Sequence, residues 1–283
     1  MLKKSGKFSF NLRGRLFEFE RPLVMGILNI TPDSFHADSR IGSWTELVEK
    51  ASQMLSEGAD ILDIGGQSTR PGATRIEESV ELERVLPAIE TLHKTFPEAI
   101  LSIDTFYASL AEQAVRAGAA IINDISGGKM DSAMFETAGR LHVPYVLTHI
   151  QGEPQTMQQQ PYYEDVTGEL TRYFSEKIRQ LKDAGVHDII LDPGFGFGKT
   201  TQHNLQLLRE LEQFTMFGFP ILAGLSRKKT IQQILGVDAF GAQNGTVVAH
   251  TIALLHGASM LRVHDVKQAV ESVKIVCALR EQE

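Results

Sequence analysis

The sequence predicts a (β/α)8 barrel, an α/β TIM barrel, preceded by a short β-hairpin, and three observations carry that prediction. Eight short apolar runs alternate along the chain with stretches of helical periodicity. Three of the helical stretches close on a glycine just before the next apolar run, at Gly58, Gly118 and Gly185, as a helix C-cap in the left-handed region favours. No Gly/Ser/Pro-rich linker or low-complexity stretch divides the 283 residues, so 1–283 reads as one domain of a length usual for such barrels. An open doubly wound sheet is the alternative that the same alternation allows.

In chain order, the basic start MLKKSGKFSFNLRGR lacks the apolar segment of a secretory signal. Phe8 to Glu20 then alternates apolar and polar around Arg13-Gly14, which predicts a hairpin over about residues 7–20. Strands are expected at Val24–Ile30, Asp60–Ile64, Ile100–Ile103, Ile121–Ile125, Tyr145–Leu147, Ile189–Leu191, Ile221–Ala223 and Met260–Val263. Between them, helices are expected over Trp44–Glu57, Ser79–Thr95, Ser109–Ala117, Leu170–Ala184 and Leu205–Phe214. Gln151–Gln160 reads as a polar loop. The lone Cys277 falls in a terminal helical pattern and is expected to be a small buried side chain in a reducing, cytoplasmic protein.

Composition excludes several functions. A net charge of −7, from 28 basic and 35 acidic residues, argues against a protein devoted to nucleic acid or anionic membrane. No run approaches the roughly 18 apolar residues that span a bilayer. Hydrophobic residues at 42% and charged residues at 22% are ordinary for a soluble enzyme.

In such a barrel the active site lies at the C-terminal ends of the strands, and those ends are polar. They carry Asn29, Asp63, Asp104, Asn123-Asp124, His149, Asp192, Ser226-Arg227-Lys228, and Arg262 with His264. Polar groups buried without partners cost a few kcal/mol each, roughly, so these residues need one another or a polar ligand. Asp104, Asn123 and Asp192 are rich in acceptors and suit the donor edge of a flat heterocycle. The loops after strands 7 and 8 are common phosphate sites in barrels. Here they hold Ser226, Arg227, Lys228, Arg262 and His264. The nine histidines show no zinc spacing. Amide and carboxylate oxygens suit Mg²⁺ shared with substrate phosphates instead. The segment DIILDPGFGFGKT, Asp188–Thr200, joins a buried strand to a glycine-rich loop with Phe195 and Phe197 between its glycines. Gly194 stands three residues before Gly198-Lys199, one too few for a Walker loop. Lys199 also occupies the third glycine position of a dinucleotide fingerprint. Glycines there let a ligand approach closely, and an aromatic offers a flat ligand a face. Two long polar loops, Thr31–Gly42 and Gly65–Thr74, read as lids that exclude water.

These segments together resemble dihydropteroate synthases. The resemblance rests on NITPDSF at Asn29–Phe35, DIGGQSTRPGA at Asp63–Ala73, SIDT at Ser102–Thr105 and NDISGG at Asn123–Gly128. It continues through HIQGEPQTMQ at His149–Gln158, DPGFGFGKT, GLSRK at Gly224–Lys228 and RVHD at Arg262–Asp265. It implies a homodimeric barrel that condenses 6-hydroxymethyl-7,8-dihydropterin pyrophosphate with p-aminobenzoate, a reaction that sulfonamide analogues target. Carried over by position, Asp104, Asn123, Asp192, Lys228 and Arg262 would hold the pterin. Thr69, Arg70, Phe197 and Ser226 would surround p-aminobenzoate. Arg262, His264 and Asn29 would take the pyrophosphate, with Asn29 as the Mg²⁺ ligand. Lys228, Arg262, Asp33 and Arg70 would carry catalysis, with Asp33 and Phe35 on the first lid. Ile150 and Leu225 replace common methionines with apolar groups of similar volume. NGTVVAH at Asn244–His250 is looser than the family pattern and is expected on a helix away from the chemistry. A methyltetrahydrofolate-dependent methyltransferase domain shares the Asp/Asn pocket, but the cations after strands 7 and 8 and the GGQSTRPGA loop favour the synthase. An inactive paralogue acting as a binding subunit is the rival of another class, and intact motifs at every strand end weigh against it.

Overall fold

The computed structural model describes residues 6–30, 40–67 and 75–281. Strands β1 (Phe8–Leu12) and β2 (Arg15–Phe19) pair antiparallel, with Phe8 opposite Phe19 and Leu12 opposite Arg15. The two-residue turn puts Arg13 at φ 54° and Gly14 at φ 80°, the left-handed geometry that matches strand twist. Eight parallel strands follow: β3 (Leu23–Asn29), β4 (Ile61–Gly65), β5 (Ile100–Asp104), β6 (Ile121–Asp124), β7 (Tyr145–Thr148), β8 (Ile189–Asp192), β9 (Leu222–Ala223) and β10 (Met260–Val263). Their order is β8-β7-β6-β5-β4-β3-β10-β9. The cylinder closes between β8 and β9 through a Leu191–Ile221 bridge, where Leu191 N donates to Pro220 O at 2.9 Å. The expected barrel is present, and the open-sheet alternative falls with that closure.

The strands alternate with α1 (Arg40–Glu57), α2 (Glu78–Thr95), α3 (Ala108–Ala117), α4 (Met134–Leu141), α5 (Val166–Asp183), α6 (Thr201–Arg209), α7 (Lys229–Leu235), α8 (Gln243–Leu255) and α9 (Val266–Arg280). Three expected helix bounds need revision. α1 begins at Arg40, four residues before Trp44 and within the stretch Thr31–Gly42 expected to be a lid loop. The helix expected at Leu205–Phe214 starts earlier, on a Thr200–His203 capping box, and breaks at Glu210 into a 3₁₀ turn over Leu211–Phe217. α5 begins at Val166, four residues before the first periodic leucine, Leu170. The capping glycines do take positive φ, at 102° for Gly58, 127° for Gly118 and 86° for Gly185. At Gly118 a Cβ would also come within 2.5 Å of the His93 ring.

Two cores hold the barrel. The larger lies between strands and helices and includes Val24, Leu62, Leu101, Ile122, Leu147 and Leu191. The smaller fills the N-terminal end of the lumen with Met25, Ile61, Ile121, Val146, Ile190, Leu222 and Met260, and the hairpin packs Phe10, Leu12 and Phe19 against them. Burial of each such phenylalanine contributes roughly 1.5–3 kcal/mol. Polar ties fix the hairpin there: Asn11 N donates to Asp188 Oδ2 at 2.7 Å, and Arg13 donates to Gly118 O. Cys277 is half-buried on α9 rather than sealed in the core. No described helix is long and apolar enough to cross a membrane.

Candidate active site

At the opposite end of the lumen, Arg262 on β10 organises the polar residues. Its Nε donates to Asp63 Oδ2 at 2.6 Å, and its Nη2 donates to Asp104 Oδ2 at 2.6 Å. Asn123 Nδ2 donates to the same Asp63 oxygen at 3.0 Å. Burial pulls the guanidinium's proton affinity down, but Asp63, Asp104 and Asp192 more than offset it and keep Arg262 charged. Burial pushes Asp104 up, and Arg262 opposes that shift. Asp192 is also pushed up by burial, against the pull of the Gly194 N–H, Lys228 and Arg262. Asp63 carries no expected role beyond its polarity, yet it is the fully buried anchor of Arg262.

Asp192 Oδ1 accepts from Gly194 N at 2.8 Å, and no partner of Oδ2 is found among the described residues. Gly194, Gly196 and Gly198 all have positive φ, at 66°, 82° and 63°. The sequence suggests these glycines make room for a ligand, but packing between loops is the firmer reason. A Cβ on Gly194 would lie 2.0 Å from His149 O, and one on Gly198 would lie 2.4 Å from Gln151 O. The two phenylalanines differ. Phe195 belongs to the outer core, whereas Phe197 joins Phe106, Ile125, Ile150 and Met157 in a small apolar cluster at the mouth. Lys228 Nζ stands 4.2 Å from the Phe197 ring centroid, a cation–π geometry. Burial, with Arg262 nearby, lowers the Lys228 proton affinity to about 8 despite Asp192 and Asp104.

The loops after β9 and β10 are knitted together. His264 N donates to Ser226 Oγ at 3.2 Å, and His264 Nδ1 lies 3.0 Å from the same oxygen. Burial and the cations Arg262, Arg227 and Lys228 lower His264 to about 4. It is therefore a neutral hydrogen-bonding group at pH 7 rather than one of the cations. Arg227, at φ 54°, is held bidentately by Asp265 at 2.8 and 2.6 Å. Its charge is thus answered within the protein and calls for no anion. Arg227 N donates to Thr246 Oγ1 at 3.0 Å, so α8 braces this loop and is not remote from the site as expected.

A cavity of about 1330 Å³ opens here, lined among others by Asn29, Asn123, Asp192, Phe197, Ser226, Lys228, Arg262 and His264. Asp104 stands behind that lining, committed to Arg262. Asn29 ends β3, and its Oδ1 lies 3.7 Å from where a Gly65 Cβ would stand; Asp104 Oδ2 is 3.6 Å from that point. The loop after β4 is anchored at its start: Arg84 Nη1 donates to Gly66 O at 2.8 Å, and Gln67 Nε2 donates to Glu81 Oε2 at 2.6 Å. Burial, with Asp104 adding to it, raises the Glu81 carboxyl to about 8. The sequence reading passes over Glu81, although a carboxylate in step with buried Val85, Ala88 and Leu92 marks it. It names Lys199 but gives it no role, and the structure buries it. Asp33 and Phe35, and Thr69 and Arg70, lie outside the described residues. Among the described residues no cluster of three or more His, Cys, Asp or Glu could hold a metal. A Mg²⁺ ion that takes most of its ligands from phosphate and water fits a lone amide such as Asn29.

The chain is similar to known proteins over most of its length. Residues 25–264 match the family described as pterin binding enzyme. The dihydropteroate synthase of Escherichia coli strain K12 is 42% identical over 266 residues, covering 93% of this chain and 94% of that protein. The Yersinia pestis dihydropteroate synthase, solved with a sulfonamide drug, superposes with a TM-score of 0.90 at 41% identity, covering 97% of this chain and 100% of the other. The Xanthomonas albilineans enzyme, solved with 4-aminobenzoic acid, gives 0.89 at 39% identity, with 97% and 99% covered.

Proposed function

This chain belongs to the pterin-binding enzymes, among the dihydropteroate synthases, and from that premise we propose how its residues divide the reaction. The enzyme condenses 6-hydroxymethyl-7,8-dihydropterin pyrophosphate with p-aminobenzoate, giving 7,8-dihydropteroate and pyrophosphate in folate biosynthesis. The observation that carries the assignment is the guanidinium of Arg262 held between Asp63 and Asp104, with Asn123 on the same Asp63 oxygen and Asp192 lining the same cavity. Such a floor pre-orients a planar heterocycle. Asp192 and Asn123 face the cavity with acceptors for ring and amino N–H groups, and Asp104 fixes Arg262 beneath. Lys228 and Arg262 supply positive charge near the departing pyrophosphate. Neutral His264 and Ser226 add hydrogen bonds to it. We assign Phe197, Ser226, Thr69 and Arg70 to p-aminobenzoate, and Asp33 with Arg70 to catalysis.

The chemistry asks for electrostatics more than for a base. An electron-rich dihydropterin supports positive charge at its methylene carbon as the C–O bond to pyrophosphate breaks. The aniline nitrogen then forms the new C–N bond and loses its proton to solvent or to the released pyrophosphate. Positioning and charge stabilisation account for the rate. Mg²⁺, with Asn29 as its protein ligand, would supply charge neutralisation on the leaving group. We also assign the enzyme to the cytoplasm as a single-domain homodimer. Support for the dimer comes from exposed Ile234, Leu235, Val237, Phe240 and Val248 on and between α7 and α8, an apolar group of the kind that marks an interface.

Pyrophosphate release on mixing the purified protein with both substrates and Mg²⁺, together with chromatographic detection of 7,8-dihydropteroate, tests the whole reading. No release would sink it, and full activity in excess EDTA would remove the metal. Arg70→Ala should shift the products from dihydropteroate towards the free pterin alcohol, because bulk water at about 55 M competes once the lid is weakened. An unchanged product ratio would remove Arg70 from water exclusion.

A further inference from the structure

Lys199 is a lysine that the reaction as described leaves unused. It is 3% exposed, and its Nζ lies within hydrogen-bond reach of four groups. These are His149 Nδ1 at 3.0 Å, His149 O at 3.2 Å, Gly194 O at 3.0 Å and Phe197 O at 3.1 Å. Among the described residues it makes no ion pair. An ammonium buried against three carbonyls and an imidazole, with no carboxylate in contact, is costly, and burial lowers its proton affinity to about 7. A loop already shaped by three glycines does not need that cost for its own folding. What the lysine adds is a junction. His149 closes β7 and opens the next loop, while Gly194 and Phe197 bracket a turn after β8 in which Phe197 N donates to Gly194 O at 3.0 Å. One Nζ therefore gathers both loops and holds the backbone of the residue whose ring faces Lys228.

We infer that Lys199 is a positioning residue for the p-aminobenzoate half of the site: by clamping the Phe197 and Gly194 carbonyls to the end of β7, it sets the place of the Phe197 ring. The inference rests on the reading that Phe197 borders p-aminobenzoate. It differs from a purely structural role in what it predicts, because a clamp acting through Phe197 should change one substrate's KM and should do so only while that ring is present.

The test is a double-mutant cycle of Lys199→Met and Phe197→Ala, with KM for p-aminobenzoate, kcat and calorimetric pterin affinity measured on folded protein. Lys199→Met should raise KM for p-aminobenzoate about tenfold, with kcat and pterin affinity each within about threefold of wild type. In the Phe197→Ala background the same substitution should change that KM by less than about twofold. Lys199→Gln keeps two N–H donors and should fall between wild type and Met; it also serves as the test variant if Lys199→Met does not fold. An unchanged KM in a folded Lys199 variant overturns the inference while the reading of Phe197 stands. So do additive effects in the cycle, or equal losses of pterin affinity and p-aminobenzoate affinity. If Phe197→Ala alone leaves that KM unchanged, the reading of Phe197 fails and the inference falls with it.

Discussion

At the N-terminal end of the barrel the lumen holds Met25, Ile61, Ile121, Ile190, Leu222 and Met260, closed over by Phe10 and Phe19. Two residues further along the same strands stand Ile27, Asp63, Asn123, Asp192, Gly224 and Arg262. A strand returns to the same face every second residue, so the two sets occupy consecutive layers of one interior. Below, each side chain is satisfied by contact with any apolar neighbour of fitting shape. Above, Arg262 needs Asp63 and Asp104 at hydrogen-bond distance, and those carboxylates need it. The lower layer therefore tolerates imprecision, whereas the upper layer stands or falls as a network. That division locates stability at one end of the cylinder and chemistry at the other.

The sharpest way to break this comparison is to remove the network's centre. Arg262→Met leaves Asp63, Asp104 and Asp192 without their shared cation. Stability should fall by about 3–5 kcal/mol near pH 8, with activity lost by about a thousandfold or more. Thermal melts at several pH values check it. The loss should shrink at acid pH, where the stranded carboxylates take up protons, and a stable, active variant would dissolve the contrast. Next in size is the other end. Phe10→Ala should cost about 3–5 kcal/mol of stability, with kcat/KM at 25 °C within about twofold of wild type. Urea unfolding beside steady-state kinetics decides it; a fall in kcat/KM without unfolding would show the layers to be coupled.

Asp192→Asn isolates binding from folding. The amide oxygen can still accept the Gly194 N–H, so stability should hardly move. Losing a charge-assisted pair to the pterin should cost about 1.5–3 kcal/mol, tenfold or more in affinity by calorimetry. Undiminished binding would make Asp192 a loop anchor only. The last effect is a pH-dependent one and concerns Glu81, below the loop after β4. Its carboxyl is raised from 4.5 in the unfolded chain to about 8 in the fold. A raised folded value means stability fully present below about pH 4.5 and lost as pH climbs through 8. Glu81→Gln stays neutral, so it should gain on wild type between those limits by at most roughly 1.4 kcal/mol per pH unit. Paired melts from pH 5 to 8.5 measure the gap, and a flat difference would mean that Glu81 is ionised throughout.

Much of the fold is legible in the sequence because parallel strands buried on both faces read as continuous apolar runs, and glycines end the helices between them. α4, with eight residues, is too short to show a period, and the helix at Leu205–Phe214 hides a break because Leu211 and Phe214 stay buried through the change to 3₁₀ geometry. The site is legible as a set of polar strand ends: Asn123, Asp192, Lys228, Arg262 and His264 do converge on one cavity. Their pairing is not. Adjacent Arg227 and Lys228 look alike in sequence, yet Asp265 claims the first and Phe197 faces the second. Nothing local distinguishes them, since the partners lie on elements about 30 residues or more away in the chain and meet only when the barrel closes.

That closure is uneven. β9 contributes two ladder residues towards β10 and a single bridge towards β8, so this stave is held by fewer backbone hydrogen bonds than its neighbours. Segments with few such bonds open at lower free energy than the molecule as a whole. The loop that β9 carries holds Ser226 and Lys228, and a ligand seated on them binds only the shut cylinder. By mass action its binding adds first to the free energy of closing that seam. Occupancy of the site is thus written into the amide-exchange protection of residues 221–224, where it can be followed with no turnover at all.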